Sequence, residues 1–391
     1  MHKIIALLMA LAMLFASAVC EDDEELSLTD ILNNANPGVV DSTLTNTPTP
    51  VPKEGEMPAA TPTPEPVSVY EPDGSVLITV SAIGTIAIGY DDRTKDTLFY
   101  DELIVNGGDY GFFLSNVDDI LLEDDVTVGA LTGTLTNSTY LPSTLPEDVP
   151  IFRMPPSAAA MMRKGGIDVL AIENDHVHAH GQGGFQDTQS ALRDGGIVAS
   201  SQVTHGVITV KNTELCVLSY HVTDPSDMTT YERMRGEITA ARSEYPVVIV
   251  SLHWGDERSY IPSEAQALMA HFAVDCGASL VLGHHPEHIQ PIELYNGAYI
   301  CYSLGSFVNS GSTDLTDMTG FIVQVQLRVH NGATTSEDMR IIPIRISSRT
   351  DRNTLIPTVH DQATALDSIV SMLRENGRGL THAVDAYPVS W

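Results

Sequence analysis

The chain reads as a layered α/β protein in which buried strands are flanked by helices. Three observations predict this class. Continuous apolar runs at Val247–Leu252, Ser279–Leu282 and Ala298–Ser303 suit strands covered on both faces. Segments with helical periodicity alternate with such runs, the pattern of a layered α/β fold. Each run ends in a polar cluster: His253-Trp254-Gly255-Asp256-Glu257, Gly283-His284-His285, and Leu304-Gly305-Ser306. In open α/β sheets, sites collect beyond the carboxyl ends of strands. Histidines and carboxylates at those ends therefore point to a metal or catalytic site.

The elements follow in order. Lys3, the apolar stretch Ile4–Ala18 and the small residues Ala16-Ser17-Ala18 read as an export signal over residues 1–20. Ser17-Ala18-Val19-Cys20 also has the outline of a bacterial lipidation site, so lipid anchoring at Cys20 and simple secretion both stay open. Residues 21–75 form an acidic, then Pro/Thr-rich linker with the near-repeats Thr47-Pro48-Thr49-Pro50 and Thr61-Pro62-Thr63-Pro64. Such a segment cannot bury enough apolar surface to fold, and its prolines stiffen it into a spacer.

The folded part opens with a strand over Ser75–Ala87. Pro156–Lys164 is a helix stopped by Gly165-Gly166, and Ile167–Ile172 a buried strand ending at Glu173-Asn174-Asp175-His176. Gly184–Arg193 is helical. Val207–Lys211 and Glu214–Ser219 make a hairpin about Asn212-Thr213. Met228–Arg242 is a helix. Pro262–Cys276 is another, with Pro262 at its first position, a stripe of Ala265, Leu268, Met269, Phe272 and Cys276, and Gly277 as its stop. Phe321–Val329 and Met339–Ile346 read as closing strands and Ala363–Arg374 as a terminal helix.

The formal charge of −31 repels nucleic acid and anionic lipid heads. An acidic protein still handles an anionic substrate if bound cations invert the local field. The four cysteines do not make a disulfide scaffold in 391 residues, and Cys216, Cys276 and Cys301 lie inside apolar elements as small hydrophobes.

His253 directly follows a buried strand, with Glu257 close behind and the His284-His285 pair at the next strand end. Neutral imidazole and carboxylate are the usual ligands for Zn, Mn or Fe. Adjacent residues in an extended segment point to opposite sides, so one of His284 and His285 faces a metal while the other orients it or contacts substrate. Asn174 suits an oxygen ligand and His176 a proton donor for phosphoester or related hydrolysis. His178 and His180 extend that run, and His288 reads as a loop residue. Gly181, Gly183 and Gly184 lack the Lys-Ser/Thr of a phosphate loop, and Ser303 lacks the glycine elbow of a nucleophile.

These blocks, in this order, resemble the CapA family of poly-γ-glutamate capsule synthesis proteins, whose fold is similar to that of calcineurin-like metallophosphoesterases. The resemblance spans residues 76–347 and leaves 348–391 as a C-terminal extension. His253-Trp254-Gly255-Asp256-Glu257 matches H-W-G-x-E, Gly283-His284-His285-Pro286 the start of G-H-H-P-H, and Tyr302–Phe307 the block Y-S-L-G-N-F. Asn174-Asp175-His176 matches N-N-H, with Gly181 and Asp187-Thr188 in step, and Ile83–Gly89 matches the first G-D block. The family's Asp in that block is Thr85 here; the Asn and Glu of N-L-E are Ala130 and Thr132. The Asp after N-N-H is Ala179, the last His of G-H-H-P-H is Glu287, and the Asn of G-N-F is Ser306. Two cations about 3.5–4 Å apart need bridging anionic oxygens, and these changes remove several. The resemblance thus implies metal ligands among Asn174, His253, Glu257, His284, His285 and Glu287, with Glu173 or Asp175 returning one carboxylate and His176 as the proton donor. One divalent ion (Mn, Zn or Fe) or none is expected.

Two functions follow. The first is an exported, surface-held protein of capsule or envelope polymer synthesis, acting on a phosphoester or an amide-linked polyanion. The second is a non-catalytic binding or scaffolding module on the same fold, with a protein or polymer partner. Neither involves nucleic acid, and membrane contact is expected through the N-terminus alone.

Overall fold

Along the strand that carries Val247–His253, successive side chains enter different hydrophobic clusters. Val247 and Ile249 belong to one, and Val248, Val250 and Leu252 to another. The run is continuously apolar because both of its faces are covered. The same rule builds the whole fold. The computed structural model describes residues 68–91, 93–94, 97–143, 150–311, 317–360 and 363–391. The export signal, Cys20 and the linker up to residue 67 lie outside the described residues.

The described strands, in chain order, are β1 (Val76–Ala87), β2 (Val126–Leu131), β3 (Thr134–Leu135), β4 (Arg153–Met154), β5 (Val169–Ala171), β6 (Val198–Ser200), β7 (Gly206–Val210), β8 (Thr213–His221), β9 (Val247–His253), β10 (Leu280–His284), β11 (Ile292–Tyr295), β12 (Ala298–Cys301), β13 (Ser306–Asn309), β14 (Thr319–His330), β15 (Ala333–Arg345) and β16 (Thr358–Val359). One sheet runs β16-β15-β14-β1-β2-β5-β6, with β13 also on β1. The other runs β11-β12-β10-β9-β8-β7. In the second sheet β8, β9, β10 and β12 are parallel, and β7 and β11 are antiparallel edges. Long β1 serves two neighbours along one edge: Val76–Ala82 pairs with β14, and Thr85–Ala87 with β13.

The helices are α1 (Leu98–Val105), α2 (Asp118–Glu123), α3 (Ala158–Lys164), α4 (Gly181–Asp194), α5 (Met228–Glu244), α6 (Glu264–Asp275) and α7 (Ala363–Asn376). A central cluster joins Ile78, Val80 and Val128 of the first sheet to Val217, Ile249 and Leu282 of the second. A second cluster packs α1 to α4 on the outer face of the first sheet. A third packs α5 and α6 on the outer face of the second. The expected layered α/β fold is therefore present, as two sheets face to face with helices outside both. Each fully buried Val, Leu or Ile contributes roughly 1.5–3 kcal/mol.

The structure corrects some local expectations. Helix α6 starts after Ser263, not at Pro262. Ser263 Oγ accepts from Gln266 N at 3.2 Å and Gln266 Oε1 accepts from Ser263 N at 3.0 Å, a reciprocal cap. Its buried face is Gln266, Met269, Ala270, Ala273 and Val274, while Leu268 is 59% exposed. Helix α4 begins at Gly181 because the glycines form its first turn. The hairpin turns at Lys211-Asn212, both left-handed (φ 47° and 62°), the geometry that suits strand twist. Cys216 and Cys301 are buried free thiols, and burial pushes them up to about 11 and about 12, leaving them unreactive.

At the amino end of β2, burial pushes the Asp124 carboxyl up to about 7, against hydrogen bonds from Ser81 and Thr127 and with help from the Asp168 and Asp125 carboxylates. A carboxyl raised on folding holds its proton in the native state. Its stabilisation is complete below about pH 4 and is lost as pH rises through about 7. Asp124→Asn is expected to match the parent in urea denaturation at pH 4 and to exceed it at pH 8 by roughly 1–3 kcal/mol, after allowance for water at its edge. Equal stability of the two proteins at pH 8 contradicts this account.

Candidate metal centre

Alternation also decides which way the strand ends face. Leu215 and Val217 of β8, Val247 and Ile249 of β9, and Leu280 and Leu282 of β10 all enter the central cluster between the sheets. Counting on by twos puts His221, His253 and His284 on that same inner face. Parallel pairing aligns them: His221 is the register partner of His253, and His253 of His284. Three imidazoles thus stand in a row on adjacent strands at the rim of the sandwich.

The other wall of the rim comes from the first sheet. After β5, Asn174 Nδ2 donates to Leu131 O at the end of β2 (2.8 Å), and Asn174 Oδ1 accepts from His176 N (2.9 Å). This amide clamp holds the loop so that Asp175 Oδ1 lies 3.0 Å from His253 Nε2. Despite that distance the two atoms are not aligned as a hydrogen bond, and His253 Nε2 has no hydrogen-bond partner. His176 Nε2 lies 3.5 Å from Asp175 Oδ2.

His285 leaves the strand with φ 95°, a value rare outside glycine. The expected opposite pointing of His284 and His285 fails for this reason. The twist swings the His285 ring back to 4.6 Å from that of His253, centroid to centroid. One donor atom each from Asp175, His253 and His285 lies within 4.8 Å of the others. Glu287 is also left-handed (φ 62°). This strained turn is held by Arg258 N donating to Pro286 O (2.8 Å) and Ser306 N donating to Glu287 O (2.9 Å).

The sequence-derived residues divide accordingly. His253, His285 and His176 come together around Asp175. His284 joins the row but is 1% exposed, with neither ring nitrogen partnered. Asn174 acts as a clamp. Glu257 is exposed, and Glu287 Oε1 accepts from Asn309 Nδ2 at 3.1 Å instead of entering the cluster. His178 packs against Phe185, His180 Nδ1 contacts Thr134 Oγ1 at 2.7 Å, and His288 stacks on Tyr260. Sequence reasoning missed His221. It ends an apolar run just as His253 does, and the strand-end rule applied to β8 finds it.

Electrostatics suit a cation. Burial pushes His253 down to about 4 and His284 to about 3, so both are neutral at pH 7. Burial alone raises Asp175, but contact with His253 and the neighbouring His176 and His285 outweigh it and hold the carboxyl ionised. Neutral imidazoles beside one carboxylate are the donor chemistry of Zn, Mn or Fe sites. Buried polar atoms are normally hydrogen-bonded. The unpartnered Nε2 of His253, with the Asp175 carboxylate at contact distance but out of line and His285 beside it, therefore fits a metal ligand, whereas the unpartnered His284 nitrogens lie outside that cluster. Thr85 Oγ1 and Thr132 Oγ1 are likewise buried without partners, at the strand ends of β1 and β2.

Comparison with known proteins agrees with these blocks. Residues 79–311, more than half of the chain, match the family described as bacterial capsule synthesis protein. The chain is 40% identical over 92 residues to the "PGA biosynthesis protein CapA" of Bacillus subtilis, covering 23% of this chain and 24% of that protein. It is 28% identical over 208 residues to the "Capsule biosynthesis protein CapA" of Bacillus anthracis, covering 47% and 49%. The chain thus spans half or less of the length of these curated relatives. A solved hypothetical protein from Thermus thermophilus overlaps with a TM-score of 0.40 at 14% identity, over 68% of this chain and 98% of that one. The chain belongs to the bacterial capsule synthesis family.

The row of histidines depends on close packing beneath it. A Cβ on Gly283 would lie 1.9 Å from Tyr302 O, which also accepts from Trp254 Nε1 at 2.9 Å. Gly283→Ala is expected to cost about 3 kcal/mol in chemical denaturation. A variant as stable as the parent contradicts the packing argument.

Proposed function

We propose that this family member serves capsule or cell-envelope polymer synthesis, of the poly-γ-glutamate kind, through a centre that holds one divalent metal. The observation that carries the reading is the convergence of Asp175, His253 and His285, with His253 Nε2 buried and without a hydrogen bond. Family membership and the names of the Bacillus relatives support the polymer class. The leader-like N-terminus supports export, with Cys20 or simple secretion deciding whether the protein is tethered. Among the described residues no helix is long and apolar enough to cross a membrane.

Asp175, His253 and His285 would hold the ion. When bound, it would supply Lewis-acid polarisation of a phosphoryl or carbonyl oxygen and a local positive field in a chain of net charge −31. His176, half-buried beside Asp175 and facing the rim, would carry a proton to a leaving group. Asn174 fixes that loop, so His176 and Asp175 move together.

A specific observation favours a second reading, a non-catalytic binding or scaffolding module with a protein or polymer partner. Thr85 and Thr132, which stand where the family pattern has an acid, supply neutral hydroxyls instead of bridging anionic oxygens. A two-ion centre lacks its charge here.

Metal analysis after purification from replete medium separates these readings. The parent is expected to hold about one ion per chain and His253→Ala almost none. Two tightly held ions in the parent, or none, would falsify the one-metal centre. With Thr85→Asp and Thr132→Glu combined, stoichiometry is expected to rise towards two. Hydrolysis or transfer that His253→Ala leaves unchanged removes the catalytic reading and leaves the scaffold.

A further inference from the structure

His221 closes β8 on the inner face of the second sheet, in register with His253. The structure places their ring centroids 5.3 Å apart and nearly perpendicular, at 82°. On the other side of His253, the His285 ring lies 4.6 Å away. Two imidazoles bound to one ion at about 2.0–2.1 Å bring their centroids to about 4.5–5.2 Å, for bond angles from about 90° to 110°. Both separations around His253 fall close to that span. Among the described residues the ring of His221 makes no hydrogen bond, and the residue is half-buried. The acids that reach it are Asp175 and Glu173, and the neighbouring imidazoles are His285 and His176. Its ring contact with His253 sets it beside the Asp175–His253–His285 cluster, one step outside it.

We propose that His221 is a fourth protein ligand, which closes on the ion held by Asp175, His253 and His285 and gives a four-coordinate site of three imidazoles and one carboxylate. This inference rests on the one-metal reading and deepens it. The motif blocks quoted above include no residue at this strand end. Where Thr85 and Thr132 give no anionic oxygen, an imidazole on the opposite sheet takes up the coordination. A site so composed favours zinc-like ions over Mg²⁺ or Ca²⁺, which take oxygen ligands. The carboxylate and three imidazoles also leave the ion with one net positive charge, enough to draw an anionic group to the rim.

Co²⁺ reports this directly, because a four-coordinate ion absorbs visible light several-fold more strongly than a six-coordinate one. The full chain is stripped of metal and titrated with CoCl₂, following both the isotherm and the visible spectrum. The parent is expected to bind one Co²⁺ with intense visible bands. His221→Ala and His221→Gln are each expected to bind at least tenfold more weakly and to lose most of that intensity. Both variants, stripped of metal, should unfold at the parent's midpoint, since the residue is half-exposed. Parent-like affinity and spectrum in both variants, while His253→Ala loses binding, overturns the role of His221 and leaves the one-metal reading standing. A parent that binds no Co²⁺ overturns both.

Discussion

Parallel pairing of β8, β9 and β10 in register, with both faces of each strand buried, is the constraint on which the rest depends. Because Val247 and Ile249 meet the opposite sheet while Val248, Val250 and Leu252 meet helices, no strand can slip by one residue without turning its apolar set the wrong way. The register that the core enforces also sets His221 opposite His253 and His253 opposite His284. The polar row is a by-product of apolar packing: it occupies the first positions beyond the core that share its inward direction.

The opposite wall reaches this row through a loop, not a strand. Asn174 ties that loop to Leu131 at the end of β2, and Asp175 crosses the gap between the sheets to His253. The site therefore reports the spacing of the two sheets. Anything that moves them apart separates the carboxylate from its imidazoles. The turn after β10 is held differently, by backbone strain. His285 and Glu287 keep left-handed φ because Pro286 O and Glu287 O are both taken by neighbouring amides. The molecule spends local conformational energy to bring a second imidazole onto the inner face.

Charge is distributed against the global balance. A chain with net charge −31 gathers imidazoles at this rim, those of His253 and His284 neutral, and places threonines at the ends of β1 and β2. The local negative charge is mainly that of Asp175, kept ionised by its imidazole neighbours. Such a donor set would suit the single ion proposed above, one of borderline softness. The glycines and apolar strands keep the scaffold, and His253 holds a central place in the cluster.

Much of this was legible in the sequence. Apolar runs with polar ends identified the layered α/β class, and the ordered blocks around His253, Gly283-His284-His285 and Asn174-Asp175-His176 pointed to the rim. Those are local properties: strand burial and motif spacing are written in consecutive residues. Tertiary structure alone decided which donors meet. Asn174 became a clamp, Glu257 stayed in solvent, Glu287 turned to Asn309, and Asp175 and His285 entered the cluster. Side-chain direction beyond a strand end depends on a single backbone angle, as at His285, and on the distance between two sheets that share no local sequence. Neither quantity exists until the sheets have packed.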